Sequence, residues 1–411
     1  MIQTSPKTFR LHIGIFGRRN AGKSSILNTI TGQNVSIVSD IAGTTTDPVE
    51  KPMELLPLGP VQFIDTAGMD DEGSLGLQRL ERSRQVFDRT DLALLVASSN
   101  IWTEFEAKLL EEIHNRKIPV IVVLNKTDIS PPDPEIVKSL REANYTVIPV
   151  STLSGEGICE LCQAIIESAP DSFVNRPVIL SDLVGPGESA VLVVPIDKEA
   201  PKGRLILPQV QSIRDLLDNE CISIVTGLSN LPQILSRSGF QPKLVVTDSQ
   251  AFKEVAQITP PLVPITSFSI LFARFQGDLQ TMALGALTID NLKPGDRVLI
   301  AEACSHHPVE DDIGTVKIPR WLTKKIGGSP QFTFTRGHDI PDDLSGFKLV
   351  IHCGACMWNR RTMLSRIERC LRAAVPITNY GLAIAHSLGI LERSLSPFPG
   401  LLNTLKTTRS V

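Results

Sequence analysis

The sequence predicts an α/β protein in which a doubly wound parallel sheet is followed by two smaller α/β domains. From Phe9 to about Ala169, apolar strand-like runs alternate with amphipathic helical patterns, as in a parallel sheet with helices on both faces. The linker-like stretch APDSFVNRP then separates this region from a second, shorter strand and helix alternation. A length of 411 residues also exceeds what one compact core accommodates, which favours two or three domains.

The predicted elements follow one another in a regular order. In the first domain the strands are RLHIGIFG, VQFIDTAG, LALLVAS, PVIVVLNK and TVIPVS, and the helices include KSSILNTITG, FEAKLLEEIHNR, PEIVKSLREA and GICELCQAIIES. The second region offers strands AVLVVPI, CISIVTG and KLVVTDS with helices IRDLLDN, LPQILSRS and AFKEVAQ. The proline-rich stretch TPPLVPIT indicates a further boundary, after which DRVLIAEACSHHP, QFTFTRG and LVIHCGAC are strands and MLSRIERCLRAA is a helix. No internal repeat is predicted.

The composition is that of a soluble globular protein. Charged residues make up 21% and hydrophobic residues 42% of the chain, and its formal net charge is -3. This balance gives no electrostatic reason to expect nucleic acid. The N-terminus lacks the pattern of a signal peptide, and no apolar run approaches the roughly 20 residues that cross a bilayer. We therefore expect a cytoplasmic protein whose seven cysteines are buried, catalytic or metal-ligating rather than disulfide-bonded.

The segment GRRNAGKSS fits the phosphate-loop pattern and lies between a predicted strand and a predicted helix. Its glycines let backbone N–H groups close around phosphates at a helix N-terminus, where the helix dipole favours anions. Lys23 would reach the terminal phosphates, and Ser24 would ligate Mg²⁺. The nucleotide-binding residues predicted in this loop are Gly17, Asn20, Ala21, Gly22, Lys23, Ser24 and Ser25.

Three further segments predict the base and the switch. DTAG follows a strand, so Asp65 offers a carboxylate for Mg²⁺ and the N–H of Gly68 can meet the terminal phosphate. NKTD ends another strand, and a carboxylate there accepts both hydrogens that guanine presents, which adenine cannot match. A looser match, PVSTLSGEG, would supply the last base-contacting loop. The residues predicted to bind the base are Asn125, Lys126, Asp128, Ser151 and Thr152. The N-terminal region is thus a predicted P-loop GTPase domain.

These segments resemble the translation-factor-related GTPases, and within them the TrmE and Era group, whose loop also carries an asparagine at the position of Asn20. The resemblance implies that Thr45 in AGTTTD is the first switch threonine and that Ser24, Thr45 and Asp65 surround Mg²⁺. It also implies that Asn20 helps to hold K⁺. Met69 stands where many GTPases have a water-orienting glutamine, so slow hydrolysis is expected. The predicted catalytic residues are Lys23, Thr45, Asp65 and Gly68.

A second constellation combines cysteine and histidine at the ends of two predicted strands. Cys353 and Cys356 form a C-x-x-C preceded by His352, and Cys304 and His306 form a C-x-H far upstream. In a parallel sheet these strand ends meet at one edge. Thiolates favour iron-sulfur clusters, zinc or copper(I), and three cysteines with one histidine also suit structural zinc. The spacing leaves a cluster and zinc equally open, beside a redox dithiol or a purely structural role.

The chain contains another C-x-x-C, at Cys159 and Cys162, which serves as a comparison. This pair lies inside a predicted amphipathic helix, where cysteines are more often core residues than ligands. Cys370 is predicted to pack in a helix, and Cys221 in a strand.

A TrmE-type GTPase joined to a C-terminal C-x-H and a later H-C-x-x-C resembles the HydF family, the maturation GTPases of iron-only ([FeFe]) hydrogenases. The resemblance implies that Cys304, Cys353 and Cys356 ligate a 4Fe-4S cluster, while His306 or His352 occupies the fourth iron or hydrogen-bonds nearby. It implies a scaffold that uses GTP and Mg²⁺, accepts a two-iron precursor built by the radical maturases HydE and HydG, and delivers it to apo-hydrogenase.

By the same resemblance, residues 1–170 form the GTPase domain, residues 176–262 a dimerisation domain and residues 263–411 the iron-sulfur cluster-binding domain, in a homodimer without membrane attachment. The competing hypothesis is a TrmE/Era-like GTPase that acts on RNA or the ribosome and carries a zinc-binding appendage. The lack of a basic tail disfavours it. An electron-transfer enzyme would need a second redox or substrate motif, and the sequence shows none.

Overall fold

A computed structural model describes residues 9–32, 48–66, 85–175, 177–196, 203–303 and 312–409. They form two compact units that divide between residues 176 and 177. Within these ranges, no helix is long and apolar enough to cross a membrane. Four predicted site residues lie outside the described ranges: Thr45, Gly68, Cys304 and His306.

The strands are numbered in chain order: β1 Leu11–Gly17, β2 Val49–Leu55, β3 Gly59–Asp65, β4 Leu92–Ser98, β5 Val120–Asn125, β6 Thr146–Pro149, β7 Ser189–Val193, β8 Ile222–Thr226, β9 Leu244–Thr247, β10 Ile265–Ser267, β11 Arg297–Glu302, β12 Gln331–Arg336, β13 Leu349–His352 and β14 Ile377–Asn379.

The α-helices are numbered in the same way: α1 Lys23–Thr31, α2 Glu104–Asn115, α3 Pro134–Glu142, α4 Ile158–Glu167, α5 Asp171–Val174, α6 Ser181–Val184, α7 Leu207–Asp218, α8 Leu231–Leu235, α9 Phe252–Ile258, α10 Phe268–Gln276, α11 Leu279–Leu287, α12 Ile318–Ile326, α13 Arg360–Arg372, α14 Tyr380–Ser387, α15 Leu391–Ser394 and α16 Pro399–Arg409. A turn of π-helix at Ile313–Lys317 leads into α12.

The first unit is built on a six-stranded sheet in the order β2-β3-β1-β4-β5-β6, in which only the β2–β3 pair is antiparallel. Every residue of the central strand β1 is buried, because helices cover both faces of a doubly wound sheet. The predicted α/β fold is confirmed. Strand β2 was missed because its sequence, VEKPMEL, is polar and contains a proline. An edge strand tolerates both features.

The second unit contains two four-stranded sheets in which all strands are parallel, in the orders β10-β9-β7-β8 and β12-β11-β13-β14. The three-residue strands β10 and β14 escaped prediction because they are too short to show a pattern. Strand β10 begins inside the proline-rich stretch TPPLVPIT, so this stretch leads into the same sheet as β7 to β9.

The sequence predicts no internal repeat, but the two sheets of the second unit share one strand order. Each sheet of the second unit has its second strand at one edge, followed by its first, third and fourth strands. The segment VPIT precedes the last helix of this pattern in both cases, at residues 263–266 and at residues 375–378. A match of four residues is too short to be recognised as a repeat in the sequence.

Strand β13, which leads into the C-x-x-C, lies between β11 and β14 and is buried along its whole length. Val350 packs into one hydrophobic core with Met363 of α13, whereas Ile351 packs into another with Leu322 of α12. Since successive side chains of a strand point to opposite faces, both faces of this sheet are covered. This explains why the strand reads as an uninterrupted apolar run.

Candidate functional site

The phosphate loop connects β1 to α1 at the carboxyl edge of the first sheet. Gly22 has a φ of 96°, and Asn20 has a φ of 58°, a left-handed conformation that asparagine tolerates better than most residues. The Lys23 Nζ donates to the carbonyl oxygens of Gly17, at 3.0 Å, and Arg18, at 2.7 Å. The ammonium group therefore lies across the loop, where a nucleotide's phosphates would bind.

The two described candidates for Mg²⁺ lie in direct contact. The Ser24 Oγ donates to the Asp65 Oδ2 at 2.6 Å, and Asp65 is the last residue of β3. A hydroxyl and a carboxylate are the oxygen ligands that Mg²⁺ prefers. The predicted catalytic residues Thr45 and Gly68 lie outside the described part of the chain.

The two predicted base-contacting loops meet the phosphate loop and each other. The Asn125 Nδ2 donates to the Ala21 carbonyl oxygen at 3.0 Å, and a Cβ at Gly22 would lie 2.0 Å from that same nitrogen, so only glycine fits there. The Ser151 Oγ donates to the Asp128 Oδ1 at 2.6 Å. That bond fixes the carboxylate that was predicted to read guanine.

The remaining predicted nucleotide-binding residues surround this arrangement. Lys126, which directly follows Asn125, has a left-handed backbone conformation with a φ of 68°. Ser25 and Thr152 are half-buried, and Asn20 is exposed. The structure thus brings together the loops predicted from GRRNAGKSS, NKTD and PVSTLSGEG, together with Asp65.

Sequence reasoning missed the ion pair that anchors the phosphate loop. The Arg18 Nε donates to the Glu106 Oε1 at 2.6 Å, and the Arg18 guanidinium also stacks 4.8 Å from the ring centre of Phe105. The Glu106 side chain is almost fully buried and accepts from the Thr103 N–H at 2.9 Å. The available signal was the capping box TEFE at the start of α2, which marks a fixed Glu106 beside the loop.

Glu106→Gln is expected to lower the free energy of unfolding by about 1.5–3 kcal/mol, because the buried carboxylate loses its hydrogen bonds to a charged partner. Burial alone raises the pKa of Glu106, but the hydrogen bonds from Arg18 and Thr103 outweigh it and hold the pKa below its ordinary 4.5. Such a carboxylate stabilises the folded state fully at pH values above its pKa in the unfolded chain. This contribution is lost as the pH falls through its pKa in the folded protein. Acidification below about pH 4.5 should therefore destabilise the wild type more than the variant.

Urea unfolding followed at neutral and acidic pH measures this difference. The matched control is Glu104→Gln in the same helix turn, where the carboxylate pairs with Lys108 in solvent at 2.8 Å. We expect the control to unfold as the wild type does. Equal midpoints for Glu106→Gln and wild type at neutral pH would show that the ion pair does not anchor the loop.

The C-x-x-C loop leaves β13 at the carboxyl edge of the third sheet and ends where Asn359 caps α13. The Ala303 N–H donates to the Cys353 Sγ at 3.0 Å, and the Cys353 N–H donates to the Ala301 carbonyl oxygen at 2.9 Å. An N–H bond of this kind stabilises a thiolate. Ala301 pairs with His352 across the β11–β13 ladder, so the chain that continues from β11 towards Cys304 leaves the sheet beside the C-x-x-C.

His352 is fully buried, and both of its ring nitrogens have partners. Nδ1 lies 2.9 Å from the Cys353 carbonyl oxygen, and Nε2 lies 3.2 Å from Nη1 of Arg366. Since arginine can only donate, Nε2 is the acceptor and Nδ1 carries the proton. Burial, followed by the Arg366 charge, lowers the pKa of His352 to about 3, so the ring is neutral. In this arrangement neither nitrogen is available to a metal.

A layer of aromatic and cationic side chains covers His352. The Arg366 guanidinium lies 4.4 Å from the ring centre of Trp358, and the ring of His338 stacks on Trp358 at 5.0 Å. The Arg366 Nη2 also donates to the Gly337 carbonyl oxygen at 2.8 Å. Sequence reasoning missed Trp358 and Arg366. The signal that could have identified them is their position in the loop and helix that follow the C-x-x-C.

A buried carboxylate and a buried phenol, Glu302 and Tyr380, lie near Cys353. The Tyr380 hydroxyl donates to the Glu302 Oε1 at 3.2 Å, and Glu302 ends β11 two residues before Cys304. Burial, followed by the charges of Cys353 and Glu302, holds the pKa of Tyr380 well above its ordinary value. Tyr380 therefore stays protonated and donates its one O–H hydrogen to Glu302.

Among the described residues, no group of three or more His, Cys, Asp or Glu side chains forms a metal-binding cluster. Cys353 and Cys356 are both half-buried in the same loop. Cys304 and His306, which the sequence adds to this set, lie outside the described ranges. The described part of the site thus supplies two soft donors.

Of the predicted core pair in the helical C-x-x-C, Cys162 packs against the hydrophobic core of the first unit, whereas Cys159 is exposed. Cys159 and Cys162 lie in α4, and burial, followed by the charge of Cys159, raises the pKa of Cys162. Cys221 is buried, but it lies directly before β8 and not in the strand as predicted. Burial raises the pKa of the Cys370 thiol to about 11. A raised pKa disfavours the thiolate that metal binding needs.

Three segments of the chain match known protein families. Residues 12–126 match the profile of a 50S ribosome-binding GTPase. Residues 179–277 match the hydrogen maturase F dimerization domain, and residues 280–397 match the hydrogen maturase F tetramerization domain.

Individual relatives match the GTPase part. The tRNA modification GTPase MnmE of Synechococcus sp. (strain JA-3-3Ab) is 40% identical over 157 residues, which cover 37% of this chain and 32% of that protein. GTPase Der of Wolinella succinogenes is 33% identical over 195 residues, or 43% of this chain and 41% of Der. A crystal structure of Aquifex aeolicus Era bound to GDP·AlF4- covers 60% of this chain and 97% of Era, at 20% identity and a TM-score of 0.36.

The chain therefore spans about a third to two fifths of the length of these two curated relatives. The profile match and the loop geometry together identify a P-loop GTPase domain in the first unit.

Proposed function

The chain belongs to the hydrogen maturase F family, since that family's dimerization and tetramerization domains follow its GTPase domain, and on this premise we propose that it is a GTP-hydrolysing scaffold and carrier. It binds a 4Fe-4S cluster, accepts a two-iron precursor and delivers it to apo [FeFe]-hydrogenase. The observation that carries the proposal is the Cys353 loop, whose sulfur accepts an N–H bond from the strand that leads to Cys304.

The GTPase domain supplies the chain's only chemical reaction. Lys23 exchanges its two carbonyl acceptors for phosphate oxygens when GTP binds, and Ser24 and Asp65 ligate Mg²⁺. Asn125 and Asp128 select guanine. Asn20 is exposed in the phosphate loop and helps to hold K⁺. Thr45 would ligate Mg²⁺, and the N–H of Gly68 would meet the terminal phosphate. Hydrolysis acts as a timing signal rather than as a source of energy for bond formation.

The residues at the carboxyl edge of the third sheet suit an iron-sulfur cluster. Cys353 and Cys356 are half-buried thiols in one loop, and the N–H bond from Ala303 favours the thiolate form of Cys353. With Cys304 they form the three-thiolate set that holds the cluster. A cluster held by only three thiolates would leave one iron for an exchangeable ligand, which is the chemistry that accepting a two-iron cargo would need.

His352 takes an indirect part in this site. Its Nε2 accepts from Arg366 and its Nδ1 donates to the Cys353 carbonyl, which supports a role in holding the C-x-x-C loop. His306 in the C-x-H remains a candidate for the fourth iron position. A fourth ligand other than cysteine can leave, and that lability is what a carrier needs.

Self-association follows from the matched dimerization domain. Strand β8 is an edge strand whose Ile222 and Val225 side chains are exposed, and its sequence ISIVT contains neither charge nor proline. Natural proteins use charged residues and prolines to keep a free sheet edge from pairing with another chain. We propose that β8 pairs with β8 of a second copy in a homodimer, and that the partners in maturation are apo-hydrogenase and the maturases HydE and HydG.

Anaerobic purification with metal analysis tests the proposal. We expect brown protein whose colour bleaches in air, with about four irons and four sulfides per chain. Colourless protein that holds one zinc would favour the alternative, a GTPase for RNA or the ribosome with a zinc-stabilised appendage. The MnmE and Der relatives match only part of this chain, so they do not favour that alternative for the second unit.

A further inference from the structure

Two helices that follow the last strands of the two sheets in the second unit touch at their first turns. Helix α10 packs against α14, and a Cβ at Gly381, in the first turn of α14, would lie 2.7 Å from the Ser269 Cβ, in the first turn of α10. Only glycine fits at residue 381 for that reason. Ser269 belongs to the segment matched to the dimerization domain, whereas Gly381 and the C-x-x-C loop belong to the segment matched to the tetramerization domain.

Two donors from the neighbouring segment hold the Ser269 side chain in place. Its Oγ accepts from the Gly381 N–H at 3.1 Å and from the Asn379 Nδ2 at 3.3 Å. The Asn379 Nδ2 also donates to the Ser269 carbonyl oxygen at 2.7 Å, and the Asn379 Oδ1 accepts from the Leu382 N–H at 2.9 Å. A serine hydroxyl accepts two hydrogen bonds and donates one. Both acceptor positions of Ser269 are used, so the bond that it can still make is a donated one.

The Ser269 hydroxyl lies beside the C-x-x-C loop. A Cβ at Gly354, the residue after Cys353, would lie 4.0 Å from the Ser269 Oγ, and in the described part of the chain Ser269 is the one residue beyond its chain neighbours that this Cβ would contact. Ser269, Cys353 and Gly354 are each partly exposed. The hydroxyl and the loop are therefore neighbours, and both are accessible from outside the core.

The environment of Tyr380 places the Cys353 sulfur near the same helix start. Tyr380 directly precedes Gly381, and burial, followed by the charge of Cys353, raises the pKa of its phenol. The Cys353 sulfur already accepts the N–H of Ala303 at 3.0 Å. One donor to this sulfur thus comes from the chain that continues β11, and the Ser269 hydroxyl stands at the start of α10 beside the same loop.

We propose that Ser269 donates its hydroxyl hydrogen to a sulfur atom of the cluster site, either a cysteine thiolate or a sulfide of the bound cluster. This inference rests on the proposed function, because it needs the cluster at Cys353. Hydrogen bonds to the sulfurs of an iron-sulfur cluster help to set its reduction potential, since they stabilise the more negative, reduced state. A residue of the segment matched to the dimerization domain therefore adjusts the cluster that the neighbouring segment holds.

Pulsed EPR of the reduced cluster in H₂O and in D₂O tests the donated bond directly. The full-length protein is reconstituted anaerobically and reduced, and we expect Ser269→Ala to lose one exchangeable-proton coupling that the wild type shows, while it keeps about four irons per chain. Its reduction potential should also become more negative. At a fixed applied potential the ratio of reduced to oxidised cluster should fall about tenfold, which corresponds to about 59 mV for a one-electron couple.

Ser249→Ala is the matched control. A Cβ at Gly381 would lie 3.2 Å from the Ser249 Oγ, so this hydroxyl belongs to the same contact between helices, but it already donates to the Ser267 Oγ at 3.5 Å. The control should keep both the proton coupling and the potential. If Ser269→Ala does not fold, Gly354→Ala tests the same contact, because residue 354 is not left-handed and the added methyl group would separate the loop from the Ser269 hydroxyl without a clash. That variant should also lose the coupling.

The outcomes separate this inference from the proposed function. A wild type that holds no iron would overturn both. A wild type with a complete cluster, whose proton couplings and potential are unchanged in Ser269→Ala, would overturn the role of Ser269 and leave the carrier function standing. Equal changes in Ser249→Ala and Ser269→Ala would show that the contact between the helices matters as a whole, and the assignment of the donor to Ser269 would be wrong.

Discussion

Cys353→Ser should lose essentially all of the roughly four irons per chain while GTP hydrolysis stays within about twofold of the wild type. Cys353 receives the N–H bond from Ala303 and lies next to the strand that leads to Cys304, so its sulfur is central to the proposed set. Serine is a hard donor that binds iron of a cluster poorly. The GTPase residues lie in the other compact unit, so their activity does not depend on this sulfur.

The measurement is iron and sulfide content, with absorbance, after anaerobic reconstitution. Cys159→Ser is the matched control, because it alters the chain's other C-x-x-C, which lies in helix α4. That variant should keep its full iron content. A Cys353→Ser protein that retained a complete cluster would contradict the assignment of the ligands.

Lys23→Ala should lower kcat for GTP hydrolysis by about 10²–10³-fold, since an electrostatic donor to the developing phosphate charge is lost. In the structure the Lys23 ammonium lies across the phosphate loop within 3.0 Å of two carbonyl oxygens, so it is already at the position where phosphates bind. The variant should keep its iron content unchanged.

Single-turnover hydrolysis at saturating GTP separates this loss from weaker binding. Lys108→Ala in α2 is a suitable control, because Lys108 is an exposed cation that pairs with the exposed Glu104. We expect the control to hydrolyse GTP at the wild-type rate. A Lys23→Ala rate within threefold of wild type would mean that the loop does not act as a catalytic phosphate loop.

Local chemistry made the nucleotide site predictable. The glycines of GRRNAGKSS, the carboxylate after β3 and the NKTD turn each perform their role through their own backbone and their immediate neighbours. Parallel strands then bring their ends to one edge. For that reason Ser24 and Asp65, both predicted to surround Mg²⁺, could be expected to lie together. The bond from Asn125 to the Ala21 carbonyl oxygen was not predicted.

The partners of His352 could not be predicted in the same way. The sequence left direct ligation and hydrogen bonding equally open, because an H-C-x-x-C motif does not specify what faces the imidazole. Arg366 lies on the helix that follows the loop, and only the packing of α13 brings it within 3.2 Å of the Nε2. Burial then makes the charged imidazole unfavourable.

The sequence by itself determined the α/β class, the phosphate loop, the loops predicted to contact the base, and the position of a C-x-x-C at a strand end. Each of these features depends on a short segment with strong local constraints. The tertiary structure alone decided that Glu106 anchors Arg18, that Arg366 engages His352, and that the two sheets of the second unit share one strand order. These features join residues far apart in the chain. Their contacts depend on strand order and helix packing, which a linear pattern does not encode.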